Sequence, residues 1–325
     1  MCRVLHRLAV VASIAAAALG LPGRSTAEPW PQRPVRLIVP IGAGVGSDIA
    51  ARQFAERLAE IWKQPVVVEN RPGAETLIGT VAFVNLHDDH TLLYSAAAPI
   101  SLFPYVHEKL PYDPARDLVP IAQATDTFVM LAATQGLNVG SLSELVGFAR
   151  AHPGTLNWAS GGGALTYVLA GFAQSAGLDM LPVAYREQGR ALQDLSAGRL
   201  HLMITVLATL QAQVAAGNVR LLAVVNKQRA PAAPGVPTVR EAGFPEIEFD
   251  GMWGFFGPRG MSTELRDRIA ADIATAAATP ALAARLTAIG QIVHAGTAAE
   301  FAAAIEAQRA KVAAIVKITG INPMH

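Results

Sequence analysis

The run Val35-Arg36-Leu37-Ile38-Val39-Pro40 is short and rich in branched apolar residues, which predicts a buried strand. A glycine loop, Ile41-Gly42-Ala43-Gly44-Val45-Gly46, separates it from a stretch opened by Ser47-Asp48. There Ile49, Phe54, Leu58 and Ile61 fall near one helical face and Arg52, Glu56, Arg57 and Glu60 are left for solvent. Residues 65–69, Pro-Val-Val-Val-Glu, predict the next strand. Strand, helix and strand make a βαβ unit, and a helix over 76–86 with a strand over 91–94 repeats it. The class expected is α/β with a largely parallel sheet.

A second α/β segment follows, over about 128–244. Strands are predicted at 128–132, 156–159, 183–185, 200–205 and 220–225, alternating with helices over 141–151, 165–176 and 190–197. Residues 247–256 read as extended chain, and the rest from Thr263 as two alanine-rich helices separated near 290–296. No solenoid-type repeat and no Pro/Ser-rich linker interrupts the chain. Two lobes joined by short crossing strands, a hinge geometry, are therefore expected.

The N-terminal pattern differs. Arg3, His6 and Arg7 precede an uncharged run over 8–21, the length of a signal-peptide core and short of the roughly 20 residues that span a bilayer. Leu21-Pro22-Gly23 breaks the helix, and Ser25-Thr26-Ala27 offers small residues for cleavage near Ala27. An exported, periplasmic protein beginning at Glu28 is expected, with residues 1–27 as an address. Cys2 lies on the wrong side of the run for a lipoprotein. The uncharged stretch 151–178 is no membrane span, because Pro153, Asn157, Gly161, Gly162, Gly163 and Gln174 would leave polar groups unsatisfied in lipid.

Composition narrows the classes. The 325 residues suffice for about two domains, and 52% hydrophobic with 16% charged residues excludes a disordered chain. The 26 basic and 25 acidic residues argue against nucleic-acid binding by counterion release. Removal of residues 1–27 takes away Arg3, Arg7, Arg24 and the single cysteine, and turns the formal +1 into −2. No disulfide, CxxC pair or cysteine zinc site is available, and no cofactor is expected.

Two glycine loops carry the chemistry. In the first, residues 41–48, glycines let backbone approach a ligand and the free N–H groups of the following helix attract an anion. Ser47 or Asp48 serves equally well as a plain N-cap. A dinucleotide turn also fits in part: Gly42 and Gly44 match its first two glycines, but Ser47 occupies the third position and Glu69 falls late for the ribose acid. An exported Rossmann-like oxidoreductase is the enzymatic alternative. The second loop, Ser160-Gly161-Gly162-Gly163, again joins a strand to a helix. Facing loops can hold an anion across a cleft, or both can be tight turns only.

Ser160 lacks the GxSxG setting of a nucleophile. His87, Asp88, Asp89 and His90 cluster, yet a solvated turn explains them better than a metal site. His107, His152, His201 and His294 stand singly, and Arg186 with Glu187 suits either a charged ligand or a surface ion pair.

The order of the motifs then resembles the Bug-type periplasmic solute receptors of tripartite tricarboxylate transporters, from about Trp30 to Lys317. The carrying residues are Trp30-Pro31 with Arg33-Pro34-Val35-Arg36-Leu37-Ile38-Val39-Pro40, and Pro65-Val66-Val67-Val68-Glu69-Asn70-Arg71-Pro72-Gly73-Ala74. Leu110-Pro111-Tyr112-Asp113-Pro114, Pro153-Gly154 with Leu156-Asn157, and Gly235-Val236-Pro237-Thr238-Val239-Arg240-Glu241-Ala242-Gly243 follow. The resemblance implies a type II, Venus-flytrap architecture with a mixed, largely parallel sheet in each lobe and no catalysis. Lobe 1 would take 28–126 plus 250–325, and lobe 2 would take 127–249. A monomer is expected that binds a small organic acid or weakly polar ligand and serves membrane permease subunits, or alternatively a signalling system, with no nucleic acid.

Carried over residue by residue, the ligand site comprises Ile41, Gly42, Ala43, Gly44, Gly46, Ser47 and Asp48 of the first loop. Ser95 and Ala97 come from the turn after the third strand, and Ser160, Gly161, Gly162, Gly163 and Thr166 from the second loop. Tyr185 and Thr205 complete it; no metal ligand is included. Departures from the family pattern run one way. Gly42 and Ala43 replace prolines, Val45 interrupts the glycines, and residues 96–98 lack hydroxyls. Leu165, Val168 and Phe172 replace Ser/His/Glu, Arg186 stands for the commoner Lys, and Thr205 for Asp or Asn. A monocarboxylate, an aromatic carboxylate or a largely uncharged ligand is expected over citrate or glutamate.

Overall fold

The computed structural model describes residues 30–86 and 88–320. The expected leader over 1–27, Cys2 and His87 lie outside the described residues, and those from Arg33 onward form one compact unit. The first segment folds as predicted: β1 (Val35–Val39), α1 (Gly46–Trp62), β2 (Val66–Asn70), α2 (Leu77–Val84) and β3 (Thr91–Ala96). Both β2 and β3 pair with β1 in parallel. Of the apolar face predicted for α1, Phe54 and Leu58 are fully buried, with Phe54 packed edge-on against Phe255 at 5.7 Å, whereas Ile61 is half-buried and Ile49, in the first turn, is exposed.

Two single turns of helix, Ala98–Ser101 and Phe103–Val106, and a third at Pro114–Asp117, lead to β4 (Leu118–Thr127) and β5 (Val129–Thr134). The ten-residue β4 escaped the sequence reading because Pro120, Gln123 and Asp126 break its apolar run. It is an inner strand of a six-stranded sheet, order β11-β4-β10-β3-β1-β2, in which β10 (Gly251–Pro258) and β11 (Gln291–Val293) run antiparallel to their neighbours.

The second sheet has the order β7-β6-β8-β5-β9, from β6 (Leu156–Ser160), β7 (Met180–Pro182), β8 (Leu202–Val206) and β9 (Val219–Val224). Its helices are α3 (Leu142–Ala151), α4 (Ala164–Ser175), α5 (Gln188–Ser196) and α6 (Leu207–Ala215), the last unforeseen. The strand expected over 183–185 ends three residues earlier, at Pro182, so Val183 and Tyr185 belong to the following loop. The class is α/β with two mixed sheets. Parallel pairs are confined to the βαβ side of each sheet, because the strands that cross between sheets return antiparallel.

The crossing itself is pinned. Asn226, fully buried, accepts from the Val129 N–H at 2.7 Å and donates to the Thr127 carbonyl at 3.0 Å. Phe128 between them donates to Gly290 O and accepts from Leu207 N. The C-terminal part holds three helices where two were expected: α7 (Thr263–Ala277), α8 (Pro280–Ala288) and α9 (Ala298–Thr319). Pro280 divides the first expected helix, because it lacks the N–H that would continue α7. Thr297 and Glu300 form a capping box at the start of α9. Helix α9 packs on β4 and also on α4, where Gly171 leaves room for Ile315: a Cβ at 171 would lie 2.9 Å from that side chain. No single described helix is long and apolar enough to cross a membrane.

Candidate functional site

The carboxyl ends of β1, β3 and β6 open onto one cavity of about 780 Å³, the place where open α/β sheets bind ligands. The first loop contributes Pro40, Ile41 and Gly42 to its wall. Behind them the loop is braced by Asp48, which accepts from Gly44 N at 2.8 Å, Arg52 Nε at 3.0 Å and Asn70 Nδ2 at 2.7 Å. Asn70 also donates to the Ile41 carbonyl at 3.1 Å and accepts from Arg52. Burial would raise the Asp48 pKa, but these donors outweigh it and hold the carboxyl below its ordinary value. Asp48 is thus a brace in the first turn of α1. The N-cap is Val45, without a side-chain cap, which leaves the N-cap expectation for Ser47 and Asp48 unmet. Ala43, Gly44, Gly46, Ser47 and Asp48 do not line the cavity.

From the end of β3, Ala96, Ala97 and Ala98 reach the cavity, whereas Ser95 is fully buried off it and its Oγ has no partner among the described residues. The second loop lines the opposite wall with Ser160, Gly161, Gly162 and Gly163, followed by Ala164, Leu165 and Thr166. Gly162 and Gly163 adopt φ of 92° and 57°, and Gly161 is packed so closely that a Cβ would stand 2.6 Å from Thr205 Oγ1 and 2.8 Å from Gln188 Nε2. Ser160 Oγ accepts from Gly162 N and shares a hydrogen bond with Thr166 Oγ1.

Tyr185 lines the cavity, but its hydroxyl donates to Asp194 Oδ2 at 3.0 Å; burial and then the Asp194 carboxylate push the phenol up. Thr205 is fully buried and off the wall, where its Oγ1 accepts the Gln188 amide; the cavity meets Gln188 in its place.

Several lining residues were missed by the sequence reading. Trp158, Phe249, Met252 and Trp253 supply apolar surface, and Trp253 stacks on Tyr94 with ring centres 5.6 Å apart. Gln308 of α9 binds Ser101 Oγ at 2.8 Å and the Asp250 carbonyl at 2.9 Å. Asp250 itself pairs with Lys227 Nζ at 3.2 Å. Arg186 is among the lining residues and is exposed.

Glu75 is the least expected. Gly73, Ala74, Glu75 and Thr76 form an unbroken run of positive φ, at 131°, 44°, 52° and 88°. Left-handed backbone disfavours each non-glycine residue by about 1 kcal/mol or more, and such conformations persist where surroundings impose them. The turn carries the Glu75 carboxylate across the cleft, where Oε1 accepts from Gly163 N at 3.2 Å.

Among the described residues that line the cavity, no nucleophile is hydrogen-bonded to a base. The His90 cluster, with Asp88 and Asp89, lies off the cavity; Asp88 takes hydrogen bonds from Arg33, Thr91 and His90 N, and its pKa is lowered to about 2 despite burial.

The family model described as "Tripartite tricarboxylate transporter family receptor" matches residues 50–321. BugT of Bordetella pertussis is 32% identical over 267 residues, covering 80% of this chain and 81% of BugT. The structure of Rpa4515 of R. palustris with adipate is 29% identical with a TM-score of 0.79, over 91% of this chain and all of that one. The periplasmic binding protein BugD is similar at 25% identity and a TM-score of 0.75, over 91% of this chain and all of BugD.

Proposed function

Since the chain belongs to the tripartite tricarboxylate transporter receptors, a family of solute-binding receptors that are not enzymes, we propose that it takes one small organic acid into the 780 Å³ cleft. It would act in the periplasm and deliver that acid to the membrane subunits of a tripartite transporter. The observation that carries the reading is the convergence of two glycine loops on one cavity, from β1 in the first sheet and β6 in the second. Their close backbone approach suits a carboxylate laid against the loops and sealed from water. The pairing of Rpa4515 with adipate supports the ligand class.

In this reading residues 28–126 with 250–325 form one lobe and 127–249 the other, hinged at the strands that cross at Phe128 and after Val224. Ile41, Gly42, Ala97, the Ser160 loop, Thr166 and Tyr185 are the contact residues. Ala43, Gly44, Gly46, Ser47, Asp48, Ser95 and Thr205 support them from behind.

The wall favours a ligand with an apolar body. Ala96, Ala97, Ala98, Leu165, Val183 and Met252 have no side-chain N–H or O–H donor, and the two tryptophans offer one indole N–H each. A polar ligand group buried against them unpaired would lose about 1–3 kcal/mol. Thermal melts with a panel of acids test this: ligand at 100 times its Kd adds about 2.7 kcal/mol. Monocarboxylates and aromatic acids are expected to raise the Tm more than citrate. Stabilisation by citrate or glutamate alone would refute the preference.

A further inference from the structure

We propose that the cleft is tuned to a zwitterion, a carboxylate that also carries a cationic nitrogen, and that Glu75 is the residue that selects for the cation. The proposal rests on the reading of this chain as an organic-acid receptor and names the class of acid. Among the described residues, three with charged side chains line the cavity: Glu75, Arg186 and Asp250. Asp250 is satisfied by Lys227, through the ammonium at 3.2 Å and the backbone N–H at 3.2 Å. Glu75 and Arg186 form no ion pair among the described residues, with each other or with any other group. The cavity therefore presents one unbalanced negative and one unbalanced positive charge.

A ligand that answers both must itself carry both signs. Its carboxylate is drawn to Arg186 and to the first glycine loop, since the Gly161, Gly162 and Gly163 N–H groups already donate to Ile204 O, Ser160 Oγ and Glu75 Oε1, and its nitrogen is drawn to Glu75. Among the described residues a single hydrogen bond, from Gly163 N, engages the Glu75 carboxylate, so its acceptor capacity is largely unused. The left-handed turn at residues 73–76 fixes its backbone within the wall. Trp158, Trp253 and Tyr185 line the same cavity and suit the carbon skeleton between the two ends, and aromatic faces also attract a cation. The same negative charge opposes a second carboxylate, and closure of the cleft strengthens both effects by removing water.

Titration calorimetry on the protein with three probes of one length, 6-aminohexanoate, hexanoate and adipate, tests the proposal. A second set, 4-aminobutyrate, butyrate and succinate, covers a shorter span. Wild type is expected to bind the aminocarboxylate of at least one set about tenfold more tightly than the dicarboxylate. Glu75→Gln, which keeps the acceptor oxygen and removes the charge, should cut that ratio about tenfold without lowering the Tm, while Glu75→Asp should retain part of it. An unchanged ratio in Glu75→Gln overturns the proposal. So does an equal gain for all three probes, which would make Glu75 a mere competitor for Gly163 N–H; in either case the organic-acid reading survives. Failure of all six probes to bind at millimolar concentration overturns both.

Discussion

Asp48 and Gly161 serve the same cavity by different physics. Asp48, almost wholly buried, ties three donors together, so Asp48→Ala would remove the three hydrogen bonds that brace the loop and cost about 1–3 kcal/mol of stability, measurable by urea unfolding. Its carboxyl is held below the usual value, so this contribution is present above a pH of about 4 and is lost as pH falls through the lowered pKa. Gly161→Ala acts instead on the site, because its methyl group would collide with Thr205 Oγ1 and Gln188 Nε2. Loss of ligand binding, at least tenfold by calorimetry, with a Tm reduced by only a few degrees is the expected outcome. Both glycine loops were legible in the sequence, because strand, glycine run and helix announce a close backbone approach. Glu75, Gln188, Trp253 and Gln308 were not, since what places them is a left-handed turn, a buried threonine, an inner strand and a distant helix. None of these follows from local pattern.

At the scale of elements, the crossing between sheets is the feature the sequence only outlined. The βαβ units follow from apolar periodicity, whereas β4 was hidden by its polar positions and α6 lacks a clean amphipathic stripe. The polar position Asp126 has a purpose: it accepts from Gln123 and lies 2.8 Å from His294 Nε2. Burial alone would lower the His294 pKa, but the hydrogen bond and charge of Asp126, with Asp250 adding and Lys227 opposing, raise it. A raised histidine contributes stability that is complete below about pH 6.5 and is lost as pH rises through the raised value. Melts of wild type and His294→Gln should therefore differ more at pH 6 than at pH 8, and an equal difference at both would refute the linkage. Asn226→Ala, which leaves Val129 N–H and Thr127 C=O unpaired at the crossing, should lose about 2–3 kcal/mol in chemical denaturation.

For the whole molecule, two mixed sheets place the ends of their parallel strands around one cavity, and helix α9 spans from β4 to α4 beside it. That layout makes a ligand the natural bridge between the two halves, which is the central claim. Mass spectrometry of the small molecules released when the purified protein is denatured tests it most directly. The account predicts a single carboxylate-bearing compound, near one per chain in wild type and depleted in Gly161→Ala. Release of a nucleotide, or equal recovery from the variant, would contradict it.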